Sequence, residues 1–268
     1  MRGRSTINLM GTERSFAGRL RFSLDYLRRT EDIGIAGINQ TQLTEQRTHF
    51  NLAYATNEWL NLAIRVPLVD KHLKYVNLGE QENQDLGDVE MSGKFTWFTA
   101  QDHSQQWGIL AGLRLPTASE RNDSKGKKLD IDVQAGTGAW TPSIGAWYGI
   151  YDFPYFAYGS VTYYHATEGF EKFQAGDVIN ATITGQYAFH KRIAAQVALD
   201  SRWSAKNKFG NQTDENSGGV MTFLSPKLIF MPIMDVVLHV GVQIPLFDQL
   251  NGEQSEGATI QFGIAYDF

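Results

Sequence analysis

Apolar and polar residues alternate through most of this chain with a period of two residues. In residues 257–268, Ile260, Phe262 and Ile264 fall on one side of the pattern, whereas Thr259 and Gln261 fall on the other. A β-strand directs successive side chains to opposite faces. The pattern therefore predicts a strand with one apolar face and one polar face.

The same alternation predicts about twelve strands in all. Their predicted ranges are 15–28, 45–55, 59–69, 89–98, 106–117, 132–150, 155–166, 178–189, 193–204, 220–230, 236–247 and 257–268. The phase of the alternation assigns to the apolar outer face Leu20, Leu62, Ile64, Leu113, Leu238 and Ile260.

The predicted connectors also alternate, between short turns and long polar loops. Short connectors lie at 56–58, 100–105, 151–154, 190–192 and 231–234, and long ones near 29–44, 70–87, 118–131, 167–177, 205–218 and 248–256. Short turns on one rim and long loops on the other are typical of a transmembrane β-barrel. Aromatic residues crowd the short-turn rim, as expected for an interfacial girdle: Tyr54, Trp59, Trp97, Phe98, Trp107, Tyr151, Phe153, Tyr155 and Phe189.

These patterns predict an all-β protein, an antiparallel up-and-down transmembrane β-barrel that spans residues 15–268. A polar segment, 1–14, precedes the barrel, contains no apolar stretch of signal-peptide length, and is expected to be flexible. An even strand number places both termini at the short-turn, periplasmic rim of a bacterial outer membrane. The alternative is a soluble β-sandwich, but a sandwich has no physical reason to sort its loop lengths or band its aromatic residues.

Composition excludes two other classes of protein. Mean hydropathy is −0.31, and no window approaches the roughly 20 apolar residues that a membrane-spanning helix needs. The net charge of −5 argues against a general nucleic-acid-binding protein.

The polar face of the predicted barrel carries more cationic than anionic residues. The cationic set comprises Arg19, Arg21, Arg47, Arg65, Lys94, Arg114, Arg202 and Lys227, and the anionic set Asp25, Glu90, Asp200 and Asp267. Most other acidic residues are assigned to the outer loops: Glu80, Glu82, Asp85, Asp214, Glu215, Glu253 and Glu256. The pattern predicts a net basic lumen.

Two interpretations of this inner face remain open. An arginine-lined lumen attracts anions, because guanidinium stays charged and pairs with carboxylate or phosphate; alternatively, the same arginines pair with inner acids and stiffen a packed interior. Twelve strands fall between the filled eight-stranded barrel and the wide channels of 16–18 strands, so a narrow pore is expected. The predicted pore-lining and solute-binding residues are Arg19, Arg21, Arg47, His49, Arg65, Glu90, Lys94, Arg114, Tyr158, Asp200, Arg202, Lys227 and His239.

Signals for catalysis, metal binding and cofactors are poor. His49, His103, His165 and His239 lack the sequence context of a nucleophile–base pair, and His49 and His239 lack spaced metal-ligating partners, so a hydrogen-bonded lumen histidine is the favoured interpretation. The glycines at 136 and 138 precede no predicted helix that could receive a phosphate. Three inner aromatic residues either stack a ring-shaped solute or pack beneath a loop: Phe156, Tyr158 and Tyr164.

Five segments resemble one family of outer-membrane proteins. They read GDVEMSGKF (87–95), GLRLPTAS (112–119), QAGTGAWTPSIG (134–145), GGVMTFLSPKL (218–228) and VQIPLF (242–247). Together they are similar to the family named after the MetA pathway of phenol degradation, except that Ala118 stands where that family usually has glycine. The resemblance implies an outer-membrane barrel that carries small organic molecules.

The expected function is a passive channel for small solutes, anionic or aromatic, without a cofactor or an enzymatic activity. The alternatives are a structural barrel that binds a partner protein and, less favoured, an outer-membrane lipid-modifying enzyme. The expected partners are outer-membrane lipid, lipopolysaccharide and the solute, with no nucleic acid; no protein partner can be named. The C-terminal Phe268 resembles the terminal signal that the outer-membrane assembly machinery recognises, so this machinery is a further expected partner.

Overall fold

The computed structural model describes residues 18–34, 38, 40–76, 79–98, 104–123 and 125–268. Twelve long strands form the wall of a barrel, and we number them in chain order. They are β1 (Leu20–Ile33), β2 (Thr41–Ala55), β3 (Leu60–Tyr75), β4 (Glu90–Phe98), β5 (Gln105–Arg114), β6 (Thr141–Asp152), β7 (Tyr155–Tyr164), β8 (Val178–His190), β9 (Ile193–Ser204), β10 (Gly219–Phe230), β11 (Val236–Leu250) and β12 (Thr259–Asp267).

Each strand pairs antiparallel with its neighbour in sequence, and β12 closes the barrel by pairing with β1. The closing register places Arg21 opposite Asp267 and Tyr26 opposite Phe262. The start of β1 and the end of β12 lie together at the short-turn rim, where the Phe268 amide donates a hydrogen bond to the Leu20 carbonyl at 2.8 Å. The predicted fold, an up-and-down antiparallel barrel, is confirmed.

Several short strands extend the wall at the long-loop rim. Gly79–Leu86 pairs with the outer half of β3, and Gln254–Glu256 pairs with the end of β1. Phe173–Gln174, Lys208–Phe209 and Gln212–Thr213 form a small separate sheet. The described residues include a 3₁₀ turn at Phe170–Lys172, and none of their helices has the length and apolar character needed to cross a membrane.

The outer surface of the barrel is apolar, because the alternating pattern points one side chain in two away from the lumen. Leu62, Ile64 and Ile260 are among these exposed residues. Exposed aromatic side chains line the short-turn rim, including the stacked pair Trp97 and Trp107, whose ring centroids lie 4.9 Å apart. This surface has the form of a lipid-facing belt with an interfacial girdle.

The structure corrects several predicted boundaries. β1 runs to Ile33 and β3 to Tyr75, so residues 29–33 and 70–75, predicted as loop, are strand. Beyond the apolar belt a strand no longer needs an apolar outer face, and its sequence therefore looks like that of a loop. Conversely, residues 132–140, predicted as strand, form turns and irregular chain that contact the inner wall. The predicted flexible segment 1–14 and the predicted strand start at 15–17 lie outside the described residues.

Two side chains have a different position from the one predicted. Tyr151, assigned to the aromatic girdle, packs against a buried apolar cluster. Glu256, assigned to an outer loop, lies on the strand that extends the wall and contacts two arginines, Arg29 and Arg202.

Candidate functional site

The middle of the lumen carries a band of three partly exposed guanidinium groups, which we call the guanidinium band: Arg47, Arg65 and Arg114. Their side chains are 36%, 49% and 41% exposed. The Arg65 Nε atom donates to Asn51 Oδ1 at 2.9 Å, which fixes the direction of that side chain. The three residues come from β2, β3 and β5, whose alternation directs them inward.

Glu90 is the carboxylate that Arg65 and Arg114 share. Its Oε2 atom lies 3.9 Å from Arg65 and 3.7 Å from Arg114, beyond hydrogen-bonding distance. By contrast, Arg21 holds Asp267 with two hydrogen bonds of 2.7 and 2.6 Å. The guanidinium groups of Arg65 and Arg114 are therefore attracted to Glu90 without being saturated by it.

Above this band, towards the long-loop rim, lies a layer in which charges are paired. Glu45 is fully buried and accepts hydrogen bonds from Arg29, at 2.6 Å, and from Arg47. Arg29 also lies 3.8 Å from Glu31 and 3.9 Å from Glu256, and Glu256 in turn pairs with Arg202. Burying Glu45 without these cations would be costly, so this layer stabilises the upper wall.

Part of the long connector between β5 and β6 enters the lumen at this level, and we call the described residues of this connector, 118–123 and 125–137, the inserted segment. The Lys71 ammonium on β3 donates hydrogen bonds to the carbonyls of Asp132, at 2.8 Å, and Gln134, at 2.9 Å. Val133, between them, is fully buried against the wall residues Leu43 and Leu73. The segment is thus attached to the inner wall by one cation and one apolar side chain.

Asp88 holds both ends of the inserted segment. Its carboxylate accepts hydrogen bonds from the backbone amides of Ala118, at 3.0 Å, and Thr137, at 2.8 Å. Gly136 lies against this carboxylate and the Ala118 side chain, and a Cβ atom there would clash with both. Three of the segments that carry the family resemblance, 87–95, 112–119 and 134–145, therefore meet at one carboxylate.

The extension strand Gly79–Leu86 also contacts the inserted segment. Arg121 donates a hydrogen bond to Asp85, and this contact holds the pKa of the Asp85 carboxyl below its usual value. Burial raises the pKa of the Asp132 carboxyl above its usual value, and the neighbouring Asp130 carboxylate raises it further. Asn83 donates to the Val133 carbonyl at 3.1 Å, so the extension strand also supports the segment.

A second polar layer lies on the inner faces of β1, β2 and β8 to β11. His239 Nε2 lies 3.3 Å from Asp25 Oδ1, and Asp25 accepts a further hydrogen bond from Asn51 at 2.7 Å. Asp200 accepts hydrogen bonds from Thr182, at 2.8 Å, and Ser225, at 2.6 Å. His239 thus lies in the lumen beside a carboxylate, and its role stays a prediction. The described residues contain no group of three or more His, Cys, Asp or Glu side chains suited to a metal ion.

The lumen near the short-turn rim is packed with apolar side chains. Its buried cluster comprises Phe156, Ala188, Ala194, Ile229, Met231, Val237 and Ala265. The Lys94 ammonium on β4 lies 3.8 Å from the centre of the Trp147 ring on β6, and both side chains are buried. The ring of Tyr158 on β7 lies 6.0 Å from the Trp147 ring. Tyr158 thus belongs to an aromatic and cationic patch beneath the guanidinium band.

The predicted site residues are distributed over these layers. Arg19 pairs with Asp235 at 2.7 Å, and Arg21 with Asp267, both at the short-turn rim. Sequence reasoning missed five residues, because three lie in stretches predicted as loop and two at the boundary between a predicted loop and a predicted strand: Arg29, Glu31 and Lys71, and Glu45 and Asp88. Among the predicted inner arginines, Arg65 and Arg114 have only long contacts, of 3.9 and 3.7 Å, to the one carboxylate that they share.

Solved structures of outer-membrane barrels share this fold. The COG4313 outer membrane channel from Pseudomonas putida F1 superposes with a TM-score of 0.75 at 11% identity, over 94% of this chain and 96% of that one. The translocator domain of the autotransporter NalP from Neisseria meningitidis gives a TM-score of 0.57 at 8% identity, over 96% and 91%. The transport unit of the autotransporter AIDA-I from Escherichia coli gives 0.55 at 10% identity, over 97% and 93%. These likenesses establish the fold.

Comparison by sequence gives no relative. No family model matches the chain, and no curated protein matches it. The family resemblance of the five segments therefore stays a prediction.

Proposed function

We propose that this protein is a passive channel of a bacterial outer membrane, that it admits small organic solutes, and that it prefers anions. Its short turns face the periplasm, with both ends of the barrel on that side. The observation that carries the proposal is the guanidinium band: Arg47, Arg65 and Arg114 are partly exposed in the lumen, and Arg65 and Arg114 have no hydrogen bond to their shared acid.

The chemistry of this band suits a carboxylate or phosphate. Guanidinium presents a rigid set of donors, stays charged at any physiological pH, and binds such groups in a fork. An anion that enters the band replaces the long contacts to Glu90 with direct hydrogen bonds. The similarity to a barrel named as a channel, over nearly the whole length of both chains, supports the transport part of the proposal.

The aromatic patch below the band favours a solute with a ring. Tyr158 is half-buried at the lumen surface, and its ring lies 6.0 Å from the buried Trp147 ring, against which the buried Lys94 ammonium packs. A solute with a ring and a carboxylate would contact both levels, the ring against Tyr158 and the carboxylate against the arginines. We therefore propose small aromatic acids as the preferred solutes.

Substitution of the two unsaturated arginines is the test of anion preference. We expect the double variant Arg65→Gln/Arg114→Gln to shift the reversal potential of single channels towards cation selectivity in a planar bilayer with a salt gradient. The preference of the parent should weaken as salt rises, because the screening length falls from about 30 Å at 0.01 M to about 3 Å at 1 M.

Arg202→Gln is the matched control, because Arg202 already pairs with Glu256. It should lower the heat resistance of the barrel and leave the reversal potential unchanged. Cation selectivity in the parent protein would contradict the anion preference, and identical reversal potentials in the parent and the double variant would exclude the guanidinium band as its source.

A second function is favoured by a different observation, the packed floor of the lumen. The apolar cluster fills the lumen at the short-turn rim, and the inserted segment occupies the lumen above it, as in a barrel with a structural role. A non-conducting barrel that binds a partner at its rim would show no single-channel events under any salt condition. Steady conductance supports the channel.

A further inference from the structure

The lipid-facing wall of β6 to β9 contains a depression of about 600 Å³. Its floor is made of small residues, Ala157, Gly185 and Ala195, with Ala157 directly opposite Gly185. A Cβ atom added to Gly185 would meet no heavy atom within 4 Å, so the space above the floor is open. The walls of this lipid-facing depression are formed by larger side chains, including Ile150, Tyr155, Tyr187 and Val197.

A run of basic residues follows the depression at the short-turn rim. His190, Lys191 and Arg192 are exposed and join β8 to β9. Ala195, on the floor, lies three residues beyond Arg192, which is about 10 Å along a strand. The salt bridges of the described residues include none to Lys191 or Arg192, and the one acidic residue that lines the depression is Asp152.

We propose that this surface binds one anionic phospholipid, with an acyl chain in the depression and the phosphate against Lys191 and Arg192. An apolar chain removes the open surface above Gly185 from contact with solvent or loosely packed lipid, and basic residues near a membrane surface attract anionic headgroups. The proposal requires that the short turns face the phospholipid leaflet of the membrane. It does not depend on whether the lumen conducts.

A second depression on the same rim provides an internal comparison. It has a volume of about 530 Å³ and is lined by Trp59, Phe95 and Trp97, with Glu58 at its edge. Bulky rings line this space instead of small residues, and the turn beside it carries Glu58, whereas the turn beside the first depression carries Lys191 and Arg192. Anionic headgroups should therefore be concentrated at the β8–β9 turn.

Native mass spectrometry of the whole protein, with dioleoyl phosphatidylglycerol and dioleoyl phosphatidylethanolamine in equal amounts, tests the proposal. We expect the parent to retain one phosphatidylglycerol in preference to phosphatidylethanolamine. Lys191→Gln/Arg192→Gln should reduce that preference about tenfold or more, since each basic residue near the surface contributes about 1 kcal/mol. Gly185→Phe should reduce retention of both lipids by filling the depression.

Two matched variants separate this site from general effects of charge and bulk. Gly93→Phe introduces the same side chain at a glycine on β4, away from the depression. A Cβ atom at Gly93 would lie 3.7 Å from the Leu62 side chain and 3.9 Å from the Phe95 side chain, which is ordinary van der Waals contact. Lys125→Gln/Lys127→Gln removes two exposed cations from the inserted segment. Both controls should retain phosphatidylglycerol as the parent does, and the altered mobility of heated and unheated samples on gels shows that each variant is folded.

Three results would overturn the proposal: equal retention of the two lipids by the parent, undiminished preference in Lys191→Gln/Arg192→Gln, or equal losses in Gly185→Phe and Gly93→Phe. Single-channel conductance of the two-residue variant should match that of the parent, so failure of the lipid site is distinguishable from failure of the channel.

Discussion

An Ile64→Arg substitution is expected to destabilise the barrel by about 2–4 kcal/mol, the cost of an arginine near the bilayer midplane on a lipid-facing position. Ile64 is exposed on the outer surface and lies between Leu52 and Met91 in the neighbouring strands. It is four residues from the start of β3, about 10 Å above the short-turn rim for a tilted strand, and the apolar band is about 25 Å tall. Urea titration of refolding into phospholipid vesicles measures the loss.

Ile64→Leu is the control, because it keeps an apolar side chain of the same volume and should change the free energy of unfolding by less than about 1.5 kcal/mol. Leu113→Arg lies two strands further round the wall, on β5, and independently tests which face of the alternation is directed towards lipid. If both arginine variants fold into vesicles as readily as the parent, then the assignment of these positions to the lipid-facing side is wrong.

The barrel wall could be predicted from the sequence because its cause is local. Each strand must place apolar residues towards lipid and other residues towards the lumen, and apolar residues therefore recur at every second position of the strand. Leu62 and Ile260 follow that period and lie on the outer surface. The alternation of short turns and long loops shows that successive strands run in opposite directions. The fold and the strand order can therefore be predicted without knowing any contact between residues distant in sequence.

The upper lumen could not be predicted in the same way. Glu31 and Glu256 lie where the strands rise beyond the apolar belt, and there the alternation that identifies a strand disappears from the sequence. Glu31 meets Arg29 because both lie on the same face of β1, whereas Glu256 meets Arg29 only because the strand Gln254–Glu256 pairs with β1 in the folded barrel. A charge count taken from the predicted strands therefore misses the acids that balance the upper arginines.

The inserted segment depends on contacts that no local pattern contains. Its position is determined by Asp88 and Lys71, which lie far from residues 129–136 in sequence. The apolar residues Leu129 and Val133 are as compatible with a strand as with a connector that is buried against the inner wall. Only the inner-wall residues Leu43 and Leu73 decide between the two.

Removing the Lys71 ammonium is expected to release the inserted segment from the wall. In a Lys71→Met variant, the carbonyls of Asp132 and Gln134 lose their charged donor, which costs about 1–3 kcal/mol for each buried group left unpaired. Because the chain contains no cysteine, a single Val133→Cys substitution introduces a unique thiol at a fully buried position. We expect a membrane-impermeant maleimide to label this thiol at least about tenfold faster when Lys71→Met is added.

Lys74→Met is the matched control, since Lys74 lies three residues further along the same strand, is exposed, and is 3.9 Å from its acidic neighbour Glu80. It should leave the labelling rate of Val133→Cys unchanged. If the segment also narrows the conducting path, then Lys71→Met will raise single-channel conductance whereas Lys74→Met will not. Equal, slow labelling in both variants would show that Asp88 and the apolar contacts of Val133 hold the segment without the lysine.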